Sequence, residues 1–156
     1  MQKRKLKYIG YTITMQEVPD EISLVISISG CTNRCSGCHS KYLHEYVGKY
    51  LSDDIETIIN QYKNLFTCVC FMGGDQNIDE LFKINIYCQS KGYKTCLYSG
   101  KDDENILNFY CFDYVKIGSY KKKYGGLNVQ TTNQKMFKLC DGKYKDITHW
   151  FQNNRG

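Results

Sequence analysis

The chain has 156 residues, of which 42% are hydrophobic and 24% are charged, and its formal net charge is +5. This composition is typical of an ordinary globular protein, and the length suffices for one domain with a buried core over residues 1–156. The apolar run around Leu24 to Ile28 is far too short to span a bilayer, and a positive charge this small does not by itself indicate nucleic acid binding.

The cysteine content indicates a reducing compartment. The chain has nine cysteines, an odd number, and three of them lie within one short segment. A secreted chain of this size would use paired cysteines as disulfides, but no apolar segment of signal-peptide type follows the basic N-terminus. We therefore expect a cytoplasmic protein whose clustered cysteines bind a metal.

Strand and helix patterns alternate along the chain. Tyr8 to Met15 and Ile22 to Ser29 read as strands, separated by a turn at Val18 to Glu21 that contains the only proline. A short helix is predicted within Ser40 to Tyr50. Three further helices are predicted: one that begins at an Asp53–Glu56 cap, one that begins at Asn77 and ends before Gly92, and a short one over Asp103–Asn108. Further strands are predicted over Thr67–Met72, Tyr93–Tyr98, Asp113–Ile117 and Met136–Leu139. The residues Asp146–Phe151 are predicted to form a docking tail.

The order of these elements predicts the fold class. From Ile22 to Ile117 the pattern runs β-α-β-α-β-α-β, which favours a parallel sheet with helical crossovers. Four such strands are too few to close an eight-stranded barrel of roughly 250 residues. The sequence therefore predicts an α/β fold: a partial, open (β/α) barrel with a curved, mostly parallel sheet.

The segment Gly30 to Ser40 carries the strongest chemical signal. Cys31, Cys35 and Cys38 are spaced C-x3-C-x2-C directly after a predicted buried strand. Three thiolates this close favour a bound soft metal, and three protein ligands leave one coordination position open. A [4Fe–4S] cluster with one free iron fits this pattern, and so does a structural zinc site in which His39 or a remote cysteine is the fourth ligand.

The wider motif resembles a known family. The residues S-x-S-G-C-x3-C-x-G-C-H, from Ser27 to His39, look like the activating proteins of anaerobic ribonucleoside-triphosphate reductase, in the glycyl-radical activating branch of the radical S-adenosylmethionine (SAM) superfamily. The length is that of a short, phage-type member. The resemblance covers roughly Ser23 to Leu139 and implies a radical SAM half-barrel.

The resemblance also implies the ligands of the site. Cys31, Cys35 and Cys38 would hold the cluster, and Gly37 is usual in the reductase-activating branch. His39 would lie beside the adenine of SAM. Gly73-Gly74-Asp75 matches the motif that contacts the methionine amino group, although Gln76 replaces the usual proline, and Tyr98-Ser99-Gly100 would lie near SAM, with Ser99 as a contact. Thr131 to Gln134 resembles a late S-S-N-Q motif that lacks its preceding arginine.

The function implied by the resemblance is activation of the anaerobic (class III) reductase. One electron from the reduced cluster cleaves SAM, and the resulting 5′-deoxyadenosyl radical takes a hydrogen atom from a glycine of the large reductase subunit. The expected partners are that subunit, in a hetero-oligomer with two copies of each chain as one arrangement, and a one-electron donor such as flavodoxin. Neither nucleic acid nor a membrane is expected. The alternatives are an activase of another glycyl-radical enzyme and a zinc-binding adaptor without catalytic activity.

Two other features have plain structural interpretations. The six cysteines outside the motif are expected to be buried small hydrophobes, with Cys68 and Cys70 on one strand face. The run Lys121 to Lys123 is expected to be a solvated loop, with partner docking as its alternative.

Overall fold

The computed structural model describes residues 3–30 and 44–153. The strands are β1 (Lys7–Thr14), β2 (Ser23–Ile28), β3 (Lys49–Tyr50), β4 (Cys68–Met72), β5 (Lys94–Tyr98), β6 (Tyr114–Ile117), β7 (Lys135–Cys140) and β8 (Lys143–Asp146). The helices are α1 (Leu51–Gln61), α2 (Ile78–Ser90) and α3 (Trp150–Asn153), with 3₁₀ turns at Asp75–Asn77 and Glu104–Asn108.

The fold class predicted from the sequence is wrong. The strands form one mixed sheet in the order β3-β1-β2-β4-β5-β6-β7-β8. Of its seven strand pairings, β1–β2, β1–β3, β6–β7 and β7–β8 are antiparallel and three are parallel. With only three helices in the described parts of the chain, this is not a helix-rich, mostly parallel half-barrel.

Short connections explain one antiparallel pairing near each edge, β1–β2 and β7–β8. The link between β1 and β2 is too short for the crossover that a parallel pair needs, so the chain turns back as a hairpin. Asp141 and Gly142 join β7 to β8 with φ angles of 51° and 79°, the left-handed conformation of a two-residue hairpin turn. The parallel strands β2, β4, β5 and β6 are confined to the middle of the sheet, within the predicted Ile22–Ile117 segment.

Helices α1 and α2 pack on one face of the sheet. Their buried side chains recur at helical spacing, as the sequence pattern predicts. On β2, Leu24, Ile26 and Ile28 point to this face and join the same hydrophobic core. The helical contributions are Leu51, Ile55, Ile58 and Ile59 from α1 and Leu81, Ile84 and Cys88 from α2.

A second, smaller core covers the opposite face. Cys68 and Cys70 lie on this side of β4, which confirms that they share one strand face, and Cys96 pairs with Cys70 from β5. The cover comes from the turn around Val18 and from the C-terminal tail, where Trp150 and Phe151 pack against the buried set. The predicted docking tail therefore contacts the sheet, although its first residue belongs to β8, a strand that was not predicted.

Several predicted boundaries also differ from the structure. Helix α1 begins at Leu51, and its N-cap, Tyr50, makes no side-chain capping bond, so the proposed cap at Asp53 is wrong. Of the helix predicted within Ser40 to Tyr50, residues 40–43 lie outside the described residues, and Lys49–Tyr50 forms β3. The helix predicted over Asp103–Asn108 is a 3₁₀ turn. Within the described residues, no helix has the length and apolar character needed to cross a membrane.

Burial in the helix-covered core predicts that the same substitution, Ile to Ala, has very different effects on stability at two positions. Ile26 is fully buried, whereas Ile86 on α2 is 60% exposed. Ile26→Ala should lower the free energy of unfolding by about 2–5 kcal/mol, because it removes buried methyl groups and leaves a cavity. Ile86→Ala should change it by less than about 0.5 kcal/mol. Urea unfolding of both variants measures the difference, and equal losses would contradict this assignment of the core.

Candidate functional site

Four turns that contain glycine meet at one edge of the sheet. The parallel strands β2, β4, β5 and β6 end there, and they are followed by Gly30, Gly73, Gly100 and Gly118. Backbone hydrogen bonds join these turns in sequence: Gly73 N–H donates to Tyr98 O over 3.1 Å. In sheets of this kind, side chains at the carboxyl ends of parallel strands are available for ligands.

The predicted cluster ligands, Cys31, Cys35 and Cys38, lie outside the described residues. So do Gly37 and His39, which were predicted to bind SAM. The structure does describe the two ends of the segment that contains them. Gly30 N–H donates to Glu45 O over 3.1 Å, and the Ser29 hydroxyl donates to Val47 O over 2.5 Å. The described residues on either side of the cysteine segment therefore lie next to each other, directly beyond the end of β2.

The Gly73-Gly74 turn after β4 requires glycine at its second position. Gly73 and Gly74 have φ angles of 91° and 109°, which strain any other residue. A Cβ atom on Gly74 would lie 2.9 Å from the Ile28 side chain and 3.2 Å from that of Leu81. The turn thus lets the chain pass directly from β4 to α2 while it packs against the end of β2.

Gln76 joins this turn to the base of the cysteine segment. Its Oε1 accepts a hydrogen bond from Gly74 N–H over 3.1 Å, and its Nε2 donates to Ser29 O over 2.9 Å. Proline at this position could make neither bond. The departure from the family pattern therefore coincides with a specific interaction, in which one amide side chain bridges the ends of β2 and β4.

The Asp75 carboxylate is held by hydroxyl groups. Oδ2 accepts from the Ser99 hydroxyl over 2.5 Å, and the Tyr110 hydroxyl also bonds to this carboxylate. Burial raises the pKa of Tyr110, and the charge of Asp75 and this hydrogen bond raise it further, so Tyr110 stays a neutral donor. Asp75 is half-buried, and its carboxylate retains acceptor capacity for a further cationic donor.

Ser99 is buried beneath Asp75. It is 1% exposed, and its hydroxyl oxygen donates to Asp75 and accepts from Lys101 N–H over 3.1 Å. Its backbone N–H donates to Lys116 O over 2.8 Å. The structure thus places Ser99 where it orients the carboxylate, and its hydroxyl hydrogen is already committed to Asp75.

Residues of the polar motif Thr131 to Gln134 hold the loop that follows β6 through hydrogen bonds. Gln134 is buried and donates from Nε2 to Gly118 O over 3.2 Å, while Asn133 donates from Nδ2 to Ser119 O over 3.0 Å. The Thr132 hydroxyl donates to Gly125 O over 2.9 Å. Asn133 Oδ1 is buried without a hydrogen-bond partner among the described residues. These residues hold the loop that contains Lys121 to Lys123 at the same edge.

His44 is a feature that the sequence analysis missed. It is the first described residue after the cysteine segment, and its Nε2 atom is buried without a hydrogen-bond partner among the described residues. A single histidine between Leu43 and Glu45 carries no pattern that distinguishes it. It is thus a second histidine, in addition to His39, that lies close in sequence to the predicted metal ligands.

The cysteines outside the motif divide into two groups. Cys68, Cys70, Cys88 and Cys96 are buried as expected, whereas Cys111 and Cys140 are exposed, so the expectation is wrong for these two. Burial raises the pKa of Cys88 to about 12, so its thiol stays protonated and unreactive. In residues 3–30 and 44–153, no three His, Cys, Asp or Glu side chains are grouped to hold a metal ion.

The sequence predicts the three thiolates of the cysteine segment as the donors for a metal or cluster, and these residues lie outside the described part of the chain. Soft thiolates bind both iron–sulfur clusters and zinc, so this donor set fits either of them. A cleft of about 580 Å³ lies near the first turns of α1 and α2. Its walls mix Lys3, Lys5 and Lys83 with Asp79 and Glu80, so opposing charges line it, and we assign no site to it.

The bridge made by Gln76 predicts a specific loss of stability. Gln76→Ala should lower the free energy of unfolding by about 1–3 kcal/mol, because Gly74 is buried and its N–H loses its acceptor. Gln130→Ala, at an exposed position, is the matched control and should change it by less than about 0.5 kcal/mol. Urea unfolding measures both, and a Gln76 variant as stable as the control would show that the bridge is unimportant.

The described part of this edge combines a glycine turn, a carboxylate oriented by two hydroxyls and an amide bridge to the cysteine segment. Comparison with protein-family models, curated proteins and solved structures finds no match to this chain.

Proposed function

We propose that this protein cleaves SAM reductively and thereby activates the anaerobic (class III) ribonucleotide reductase by forming a glycyl radical on its large subunit. When bound to Cys31, Cys35 and Cys38, a [4Fe–4S] cluster supplies one electron to the sulfonium of SAM, so that methionine leaves and a 5′-deoxyadenosyl radical takes a hydrogen atom from the target glycine. The proposal rests on the cysteine motif and on local geometry, because a fold alone does not determine function.

The observation that supports the proposal most strongly is the bridge from Gln76 to Ser29. It ties the Gly73-Gly74-Asp75 turn to a residue two positions before Cys31. A molecule bound at the cysteine segment therefore lies beside a turn that offers both a close backbone approach and a carboxylate. SAM carries an ammonium group and a carboxylate on its methionine end, so a carboxylate acceptor here complements it.

Each residue then has a defined task. The three cysteines would hold the cluster, which would supply the electron for cleavage of SAM. Asp75 accepts a charge-assisted hydrogen bond from the ammonium group, and Ser99 and Tyr110 fix the direction of its carboxylate. Gly73 and Gly74 allow the ligand to approach the backbone, and His39 contacts the adenine.

The proposal has consequences for partners and location. Its substrate is a glycine on another protein, so the edge must admit a polypeptide loop, and the electron must come from a donor such as flavodoxin. A cluster with an exposed iron requires a reducing, oxygen-poor environment, which is consistent with the cytoplasm.

Anaerobic reconstitution with iron and sulfide tests the proposal. The full chain should become brown and, when reduced with dithionite in the presence of SAM, release methionine and 5′-deoxyadenosine. Replacing Cys31, Cys35 or Cys38 with Ala should abolish this release, because each change removes a cluster ligand. Liquid chromatography of the products measures it.

Two cysteines outside the motif are the controls. Cys88→Ala, at a buried position, should lower stability, and Cys140→Ala, at an exposed one, should change little, while both retain SAM cleavage. A colourless protein with one bound zinc and no SAM cleavage would support the adaptor alternative and rule out the proposed reaction.

The role of Asp75 predicts weaker binding of SAM without loss of the fold. Asp75→Asn keeps an oxygen acceptor for Ser99 but removes the charge, so SAM affinity should fall by about 10-fold or more. Asp141→Asn, in the exposed β7–β8 turn, removes the same charge and should leave the affinity unchanged. Equilibrium dialysis of SAM against the reconstituted protein measures both, and equal affinities would exclude a contact between Asp75 and SAM.

A further inference from the structure

One side of the eight-stranded sheet is open along β1. This strand pairs with β2 on its inner side, but on its outer side β3 covers only Lys7 and Tyr8. In the part of the chain that the structure describes, no strand pairs with the outer side of residues 10–14. We call this stretch, Gly-Tyr-Thr-Ile-Thr, the open edge. An unpaired edge of this kind is a template to which another strand can add.

Backbone hydrogen bonds on β2 show which residues of the open edge face outward. Ser29 N–H donates to Lys7 O over 2.9 Å, so Ser29 bonds to β1. Successive residues of a strand bond toward opposite sides, so the other odd-numbered residues of β2 also bond to β1. Their partners on β1 are Gly10, Thr12 and Thr14. The N–H and C=O groups of Tyr11 and Ile13 therefore point away from the sheet.

The open edge lacks the features that usually protect an edge strand. From residue 8 to residue 16 the chain has neither a charged side chain nor a proline. The irregularity in the β1–β2 ladder lies between Tyr8 and Gly10, at one end of the stretch. The strand on the other side of the sheet, β8, has four residues, of which three are charged. The two sides are thus unequal, and the β1 side is the one suited to pairing.

The open edge is complementary to a second copy of itself. Because β3 occupies the outer side of Tyr8 and β1 ends at Thr14, an antiparallel pair centred on Thr12 uses the whole stretch. In this register the outward groups of Tyr11 meet those of Ile13 of the second copy, and the two residues exchange both hydrogen bonds. Two-fold symmetry repeats the contact on the other side of the axis.

The side chains in this register also form favourable pairs. Tyr11 and Ile13 lie on the helix-covered face, because their partners on β2 belong to that core. Tyr11 opposite Ile13 is an aromatic–β-branched pair, and Thr12 meets its own copy as a threonine pair; both kinds stabilise antiparallel sheets. A two-fold contact brings residues near the axis close to copies of themselves, so a stretch without charges avoids repulsion.

We propose that two copies of this chain pair through the open edge, β1 against β1, and form a dimer with one continuous sheet. This inference does not depend on the proposed reaction. The contact lies along the side of the sheet, whereas the candidate site lies beyond the carboxyl ends of β2 and β4. Because the paired strands are antiparallel, the two candidate sites lie at opposite ends of the dimer.

Sedimentation equilibrium of the full chain tests the proposal. The contact is a single strand pair, so we expect a reversible dimer with a dissociation constant on the order of 1–100 μM. Thr12→Lys, at an exposed position, places two ammonium groups opposite each other at the axis and should raise this constant about 10-fold or more. Thr57→Lys, at an exposed position on α1, adds the same charge and should leave the constant unchanged.

A charge-swap experiment tests the register. Thr12→Glu should weaken the dimer as Thr12→Lys does, since each variant brings like charges together. An equimolar mixture of the two variants should pair at least as well as the unaltered chain, because opposite charges then meet at the axis. If both variants are folded by circular dichroism and the mixture does not pair, the proposed contact is wrong.

Amide hydrogen exchange tests the contact without any substitution. The N–H groups of Tyr11 and Ile13 should exchange slowly well above the dissociation constant and rapidly well below it, whereas that of Thr12, which bonds to β2, should not respond to concentration. A chain that is monomeric throughout, or outward amides that exchange equally at all concentrations, would overturn the proposal. Protection of these amides only after the large reductase subunit is added would also overturn it, because the edge would then belong to that partner.

Discussion

A single amide side chain connects the two halves of the candidate site. Gln76 accepts from the buried Gly74 N–H and donates to Ser29 O, so the ends of β2 and β4 are fixed relative to each other. The position of the cysteine segment relative to Asp75 depends on how these two strand ends are fixed. The cysteine segment begins directly after Ser29, and the carboxylate of Asp75 directly precedes Gln76, so the bridge sets the distance between the expected cluster and its expected neighbour.

The Gln76 bridge can fix the positions of the two strand ends because both strands belong to a rigid, packed sheet. Strands β2, β4 and β5 are parallel, and their buried residues pack beneath α1 and α2. Gly74 lies too close to Ile28 and Leu81 for any side chain, which leaves the turn little freedom. Asp75 then extends from a fixed backbone and is further held by Ser99 and Tyr110. Such preorganisation is what a site needs to orient a flexible ligand.

Local patterns predicted the elements better than the fold. The spacing of Ile55, Ile58 and Ile59 identified α1, and the Asn77 cap is confirmed by its bond from Glu80 N–H. The mixed sheet was missed because strand pairing depends on connections that periodicity does not measure. One signal was nevertheless present: Asp141-Gly142 between two strand-like runs is typical of a hairpin, and it marks the antiparallel β7–β8 pair.

The site was predictable only where residues are close in sequence. The glycine turn and its carboxylate form one motif, so they could be identified together. The contacts of Ser99, Tyr110 and Gln76 cross 24, 35 and 47 positions of the chain, and nothing in one sequence links such pairs. Asn133 and Gln134 were recognised as a polar motif, but their role in bracing the loop after β6 depends on strand β7 lying beside β6.

The most direct measurement concerns the proposed open iron of the cluster. Electron–nuclear double resonance on the reduced, reconstituted protein, with SAM labelled with ¹⁵N at its amino group, reports whether that nitrogen binds the cluster. The account predicts a ¹⁵N coupling that replaces the ¹⁴N coupling of unlabelled SAM. A cluster spectrum that SAM does not alter, with nitrogen coupling from His39 or His44 in its place, would show a fourth protein ligand and contradict the account.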